Sequence, residues 1–269
     1  IGLLQETFMV IKDNTFTIER SASSVLSVVE IFELKTLLLQ MEKISKLSEK
    51  LGFPEEFVLE DTTALLDVLD PGKDRLNTFY IYDSFSQTLG ELRKEKKETE
   101  RAIRREQKAR KELVKEKYGV ALTPKFEIVV SKSDQHSIKM IDEISEMTRT
   151  DEDYMSVTFS LTATEEVENL MKVCDQLMTA IEDEELNVRE KLSEEISKYE
   201  AVLLENCRRI GELDITLSKA LYAEKHNCVM PEIADEHILE FEDGRNLQLE
   251  EALLANRIAY LGCVFLPLG

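Results

Sequence analysis

The chain has 269 residues, of which 43% are hydrophobic and 33% are charged, with 9 Gly, 5 Pro and no Trp. This length and composition allow one large or two smaller domains with a buried core, and they favour long helices with solvated surfaces. The formal net charge of −20 excludes a general attraction to nucleic acid or to an anionic membrane, so any contact with DNA must come from a local basic patch.

The first 83 residues predict the first part of a helical core. Residues 1–20 are mixed and suggest short extended pieces or helix ends. From Ser21 onward, apolar residues recur at three- and four-residue spacing, which predicts a helix or a helix pair that ends at Gly52. A short capped helix and a short extended segment complete this region.

Residues 84–120 predict one long outgoing helix with a thin apolar stripe. Asp83 or Ser84 is expected to cap this helix and Gly119 to end it. A continuous helix of this length would measure about 50 Å. Residues 91–119 contain 12 basic and 7 acidic side chains, so this segment is locally positive in an otherwise acidic chain. The stripe consists of Phe85, Leu89, Leu92, Thr99, Ile103, Leu113 and Val114.

Residues 121–163 predict a small α/β tip. The alternating segments 125–131 and 154–162 predict two strands that pair with each other, and residues 133–148 predict a short helix between them. Residues 121–164 contain 4 basic and 8 acidic side chains, which makes the tip a poor surface for binding phosphate groups.

Residues 164–229 predict a return helix with the clearest apolar stripe of the chain. Thr162 and Glu165 are expected to form a capping box at its start, and a gap in the stripe near Glu184 and Glu185 indicates a bend or solvent exposure. At full length the helix would measure about 90 Å, which predicts a coiled-coil-like arm. Because the outgoing helix is basic and the return helix acidic, we expect them to pair antiparallel.

The cysteines and histidines predict no disulfide framework and no metal site. No C-x-x-C pair occurs, so the cysteines are interpreted as small buried thiols of a reducing cytoplasm. The histidines are interpreted as surface or helix-cap residues. No apolar run reaches the roughly 18 residues that span a bilayer, so no membrane partner is expected. The cysteines are at positions 174, 207, 228 and 263, and the histidines at 136, 226 and 237.

This order of elements resembles the core–lever–clamp region of the MutS family, in which a helix leads out of a helical core, a small tip follows and a helix returns. FSLTATEEVENLMKV, residues 159–173, is similar to the family's step from the clamp into the lever. IGELDITLSKALYAEKHNCVMPEI, residues 210–233, is similar to the end of the family's core.

EDGRNLQLEEAL, residues 242–253, resembles the Gly-Arg-His-Pro-x-Leu-Glu turn that opens the ATPase domain of the MutS family. Gly244, Arg245, Leu249 and Glu250 match this pattern, whereas Asn and Leu replace its His-Pro pair. The resemblance therefore implies a mainly α fold: a helical core, long antiparallel lever helices, a small α/β clamp-like tip and, in residues 230–269, the first strands of an α/β ATPase domain.

The resemblance also implies a nucleotide site in the full-length protein. Its Gly-rich phosphate loop is expected within a few residues after Gly269, so ATP and Mg²⁺ would bind there and not to this chain, whose sequence contains no GxxxxGK[ST]. Tyr260 or Phe265 would stack on the adenine, with an ordinary core aromatic as the alternative. No residue is predicted to be catalytic, and a homodimer would form through the ATPase domain.

Candidate DNA contacts lie on the outgoing helix. The alternative interpretation of these residues is a solvated helix face that pairs with the acidic return arm. The residues are Arg101, Arg104, Arg105, Lys108, Arg110 and Lys111.

Three functions follow from these observations. The first is a MutS-like ATPase that couples conformational change to double-stranded DNA binding in mismatch repair or recombination. The second is a MutS-like ATPase that remodels a protein client, such as a cobalamin-dependent lysine aminomutase, without DNA. The third is a coiled-coil scaffold that has no enzymatic activity.

Overall fold

The computed structural model describes residues 2–233, 235, 237–240, 242 and 244–255, and it confirms a mainly helical fold with a small sheet. The helices are α1 (Gly2–Phe8), α2 (Thr15–Arg20), α3 (Val28–Leu51), α4 (Thr63–Leu69), α5 (Gln87–Tyr118), α6 (Gln135–Asp142), α7 (Glu165–Ser197), α8 (Glu200–His226) and α9 (Leu247–Ala255). The strands are β1 (Glu127–Ser131), β2 (Met147–Glu152) and β3 (Ser156–Leu161). Short 3-10 turns occupy Glu55–Phe57 and Asp83–Phe85.

Helix α3 is the central element of the core. Ser27 caps it in a capping box with Glu30, and Gly52, with φ of 65°, ends it. The helix therefore begins at Val28 and not at Ser21, and two short helices precede it, which excludes the extended alternative and leaves the helical one for residues 1–20. Its buried side chains join one cluster with those of α4, α7 and α8. Members of the cluster include Ile31, Leu34, Leu38, Met41, Ile44, Leu65, Leu66, Leu69, Leu192, Ile196, Leu203 and Ile210.

A buried ion pair lies at the edge of this cluster. The side chain of Lys35 is only 1% exposed, and its Nζ donates to Asp70 Oδ1 at 3.0 Å and to the Thr78 carbonyl at 2.9 Å. Burial alone would raise the pKa of Asp70, but hydrogen bonds from the Arg75 backbone N–H and from Lys35 outweigh it and hold that pKa below its usual value. The pair thus fastens the end of α4 and the following segment to α3.

Helices α5 and α7 pack antiparallel and form an arm, as predicted. Ser86 caps α5 by accepting from the Leu89 N–H, and Thr164 caps α7 by accepting from the Val167 N–H, so the caps proposed from sequence were wrong. Gly119, with φ of 73°, ends α5 as expected.

The return helix is not continuous, and it breaks at a different place from the one predicted. It is unbroken at Glu184 and Glu185, whereas α7 and α8 are separated at Lys198 and Tyr199. There the Tyr199 N–H donates to the Ile196 carbonyl at 2.9 Å, a three-residue step that tightens the helix. Leu203 on α8 belongs to the core cluster, as do Leu192 and Ile196 at the end of α7.

The tip contains three strands instead of two. β3 lies in the centre of an antiparallel sheet in the order β1-β3-β2, with Val130 opposite Val157 and Met147 opposite Leu161. The pairing of β1 with β3 confirms the prediction, whereas β2 was missed. Buried side chains of the strands and α6 pack with Val114 at the end of α5, which attaches the tip to the arm.

The described part of residues 230–269 contains α9 and no strand, and the expected start of an ATPase domain remains a prediction. Residues 256–269, which include both aromatic nucleotide-binding candidates, lie outside the described residues.

We expect Lys35→Met to lower the free energy of unfolding by about 3 kcal/mol, because Asp70 would keep a buried charge without its ammonium partner. The double variant Lys35→Met/Asp70→Asn should recover much of this loss. Urea unfolding measures both. Lys12→Met is the matched control, since it breaks the exposed Lys12–Glu33 pair and should cost less than about 1 kcal/mol. Equal losses in the two single variants would contradict the role of the buried pair.

We expect Leu203→Ala to cost about 2–5 kcal/mol, because this side chain is 1% exposed and its truncation leaves a cavity in the core. Ile215→Ala, on the same helix but 55% exposed, should change stability by less than about 1 kcal/mol. Both substitutions introduce Ala on the same helix, so the difference between their urea midpoints reports the loss of core packing and not a change in helix propensity. A small effect of Leu203→Ala would show that α8 packs differently.

Candidate nucleic-acid interface on the arm

Helix α5 has one apolar face, which packs against α7. Leu89 and Val114 are fully buried, and Leu92, Thr99 and Ile103 are half-buried. These positions confirm most of the predicted stripe, because they share one side of a helix with 3.6 residues per turn. Leu113 is the exception, since it is 47% exposed.

The opposite side of α5 is a basic stripe that faces solvent. We define this basic stripe as Lys94, Lys97, Arg101, Arg104, Arg105 and Lys108. All six side chains are exposed, and within the described part of the chain none forms an ion pair. Arg101, Arg104, Arg105 and Lys108, together with Glu98, line a surface depression of about 570 Å³. The stripe thus presents positive charge that no described acidic side chain neutralises.

The acidic return helix does not neutralise the basic stripe. One ion pair joins the two helices among the described residues, from Arg93 to Glu185 at 2.6 Å, and Ser86 Oγ donates to Glu184 at 2.6 Å. Both contacts lie near the base of the arm. These contacts give Glu184 and Glu185 partners at the start of α5, and α7 is unbroken at both positions.

Two of the predicted DNA-contacting residues are engaged at the junction of arm and tip instead. Lys111 Nζ donates to the Thr123 carbonyl at 3.1 Å, and Arg110 donates to the Thr162 carbonyl. Sequence reasoning also missed two members of the stripe, Lys94 and Lys97. The seven-residue interval that relates Lys94 to Arg101 and Lys108 was the signal that could have identified them.

Two of the four basic side chains of the tip form ion pairs within the tip. Lys132 pairs with Glu152 at 2.8 Å, and Arg149 pairs with Asp142 at 2.7 Å and with Glu152 at 3.0 Å. Because the tip also has twice as many acidic as basic residues, its surface is unsuited to phosphate groups.

Glu146 joins the tip to the end of α5. Its carboxylate accepts from the Ser145 hydroxyl at 2.8 Å and the Tyr118 hydroxyl at 3.1 Å, and it pairs with Lys117 at 3.5 Å. The Ser145 hydrogen bond is the largest cause that lowers the pKa of Glu146 to about 2, with contributions from Tyr118 and Lys117.

Other site chemistry is sparse in the part of the chain that the structure describes. No group of three or more His, Cys, Asp or Glu side chains there could hold a metal ion, and no helix there is long and apolar enough to cross a membrane. Cys174 and Cys207 are half-buried free thiols, and burial raises the pKa of Cys207 to about 11. Cys228 is exposed, contrary to expectation, whereas His226 is buried at the end of α8.

Comparison with known proteins finds a distant similarity over part of this chain. The models of known protein families match no part of this chain. The DNA mismatch repair protein MutS of Leptospira interrogans, from serovar copenhageni and from serovar Lai, is 28% identical over 98 residues, which is 36% of this chain. The match spans 11% of the length of these relatives. This similarity supports at most a distant MutS-like relationship.

We expect Glu146→Gln to lower the melting temperature at neutral pH, because the depressed pKa of Glu146 means that folding favours its ionised form. The stabilisation by ionised Glu146 is present above the unfolded-state pKa of about 4.5 and is lost as the pH falls towards 2. The melting temperatures of wild type and Glu146→Gln should therefore become equal near pH 2. Glu143→Gln, at an exposed neighbouring position, is the control for the removal of a carboxylate from the tip surface. A difference in melting temperature between wild type and Glu146→Gln that stays constant at all pH values would contradict the stabilising role of ionised Glu146.

Proposed function

We propose that this chain is the core, lever and clamp portion of a cytoplasmic MutS-like ATPase that couples ATP-driven movement to double-stranded DNA binding in mismatch repair or recombination. ATP, Mg²⁺ and a homodimer contact belong to other parts of the full-length protein in this proposal, because the present sequence has no phosphate loop. The resemblance of residues 159–173 and 210–253 and the distant similarity to MutS support it.

The observation that carries the DNA-binding part of the proposal is the unneutralised basic stripe. Its exposed lysines and arginines are the groups that contact the phosphate backbone, and they recur along one side of a helix. The stripe contains no aromatic side chain on which unpaired bases could stack. We therefore propose contact with the backbone of a duplex, without base readout.

The shape of the arm supports a lever. The α5–α7 pair is joined to the core by Arg93, which donates to the Ile81 carbonyl at 2.8 Å, and to the tip by the contacts of Arg110, Lys111 and Glu146. Because both ends are fastened, a movement of the core would carry the tip and the basic stripe with it.

The second candidate function, remodelling of a protein client, is favoured by one observation. Lys132 and Arg149, half of the tip's basic residues, are engaged in ion pairs, and the tip as a whole is acidic. A clamp of this kind suits a protein surface better than a phosphate backbone. A scaffold without enzymatic activity is the third candidate.

Fluorescence anisotropy with labelled duplex, mismatched and branched DNA tests the first function. We expect binding that weakens steeply between about 50 and about 200 mM salt. Arg101→Glu/Arg104→Glu should weaken binding by at least about tenfold and lower the slope of log K against log salt by about 2.

Lys172→Glu/Lys219→Glu is the control with the same change of charge, on exposed positions of α7 and α8. It should retain most of the affinity. No binding by wild type at low salt would count against the DNA function and favour the client-remodelling alternative. Equal losses in both double variants would show that net charge, and not the basic stripe, determines the affinity.

A further inference from the structure

The solvent side of α7 carries the opposite charge to that of α5. We define an acidic stripe there as Glu165, Glu168, Asp175, Glu182, Asp183 and Glu190. All six side chains are exposed, and none has an ion-pair partner among the residues that the structure describes. Lys172 also lies exposed within this stretch. As on α5, a seven-residue interval relates three members, Glu168, Asp175 and Glu182.

The two stripes lie on opposite sides of the arm. Helices α5 and α7 meet through their apolar faces, which include Leu89 and Ile103 on one helix and Leu177 on the other. The outward faces therefore point in opposite directions, positive on α5 and negative on α7. Lys94 to Lys108 spans 14 residues and Glu165 to Glu190 spans 25, so the basic stripe is about 21 Å long and the acidic stripe about 38 Å. The arm is thus polarised across its width, and the acidic stripe is long enough to face the whole basic stripe of another copy.

We propose that the acidic stripe of one copy of this chain docks on the basic stripe of another copy. The net charge of −20 opposes association at a distance, but screening reduces that repulsion beyond about 8 Å at physiological salt, so the facing surfaces decide the contact. Each stripe supplies the complement that the other lacks, and no described side chain of the same copy forms an ion pair with a member of either stripe.

The geometry fixes the type of assembly. Because the two stripes face opposite directions, one partner cannot cover both of them through a twofold axis. The contact is therefore heterologous, and it leads to open-ended growth and not to a closed dimer. Duplex DNA on the basic stripe would compete with the second copy. The inference goes beyond the proposed function and does not depend on it, since the acidic stripe has no part in DNA binding.

Sedimentation velocity at a series of protein concentrations tests this contact. For wild type at about 50 mM salt, we expect the weight-average sedimentation coefficient to rise with concentration, and this rise to disappear at about 200 mM salt. Arg101→Glu/Arg104→Glu on one stripe, or Asp175→Lys/Glu182→Lys on the other, should weaken self-association by at least about tenfold.

Mixing the two charge-reversed proteins is the decisive part of the experiment. The acidic surface made on α5 of one should bind the basic surface made on α7 of the other, so association should return in the mixture. Glu6→Lys/Glu49→Lys makes the same change of net charge on exposed core positions and should not mimic Asp175→Lys/Glu182→Lys. Circular dichroism checks that each variant retains the wild-type helicity.

Three outcomes would overturn the proposal: a wild-type protein that stays monomeric at low salt at every concentration, self-association that survives both reversals, or a mixture that does not associate. The proposed function fails by a different result, namely the loss of DNA binding by wild type. Asp175→Lys/Glu182→Lys separates the two, because it should abolish self-association and keep DNA binding.

Discussion

The buried pair of Lys35 and Asp70 is the contact on which the arrangement of core and arm depends. Lysine is rarely this deeply buried, and here its ammonium is held by a carboxylate and a backbone carbonyl. Asp70 closes α4, and Thr78 lies in the segment that leads to α5, so one side chain of α3 fixes both. Arg75 extends the network, because it also pairs with Asp67 at 2.6 Å.

The same network sets the direction of the arm. Residues 70–82 form neither helix nor strand, so their path has to be fixed by side-chain contacts. Beyond them, Arg93 donates to the Ile81 carbonyl and pairs with Asp83 and Glu185, which joins the approach segment, α5 and α7 at one point. Basic residues that point inward or lie at the two ends of α5 therefore have structural partners. The outward-facing basic residues in the middle of α5 have no such partners. This difference distinguishes the candidate functional side chains from the structural ones.

The elements that sequence reasoning predicted well are those whose signal is local. The apolar stripe from Val167 to Ile210 needed only helical periodicity, and every member of it that was predicted in this range is buried or half-buried. Gly52 and Gly119 end helices in the left-handed conformation that glycine favours. Strand β2 was missed because Met147 is its only buried residue, so the edge strand MTRTDE has no alternating apolar pattern.

Features that depend on distant partners could not be predicted. The break at Tyr199 contains neither Gly nor Pro, and it lies within the core, because Ile196 before it and Leu203 after it both belong to the core cluster. The polar gap at Glu184 and Glu185 suggested a bend or solvent exposure, because the sequence does not show that Ser86 and Arg93 face it. In the candidate site, the composition indicated a basic helix, but only the structure separates Lys111, bound at the junction, from the exposed stripe.

The distribution of charge along the arm determines which of its surfaces suits the proposed DNA contact. If phosphate groups are contacted at the tip, the ion pairs of Lys132 and Arg149 are an obstacle, because DNA would have to displace carboxylates already in place. If they are contacted on the outer face of α5, no internal pair has to be broken. The acidic tip would then be no obstacle to the proposed DNA contact, because the two features lie on different surfaces of one arm.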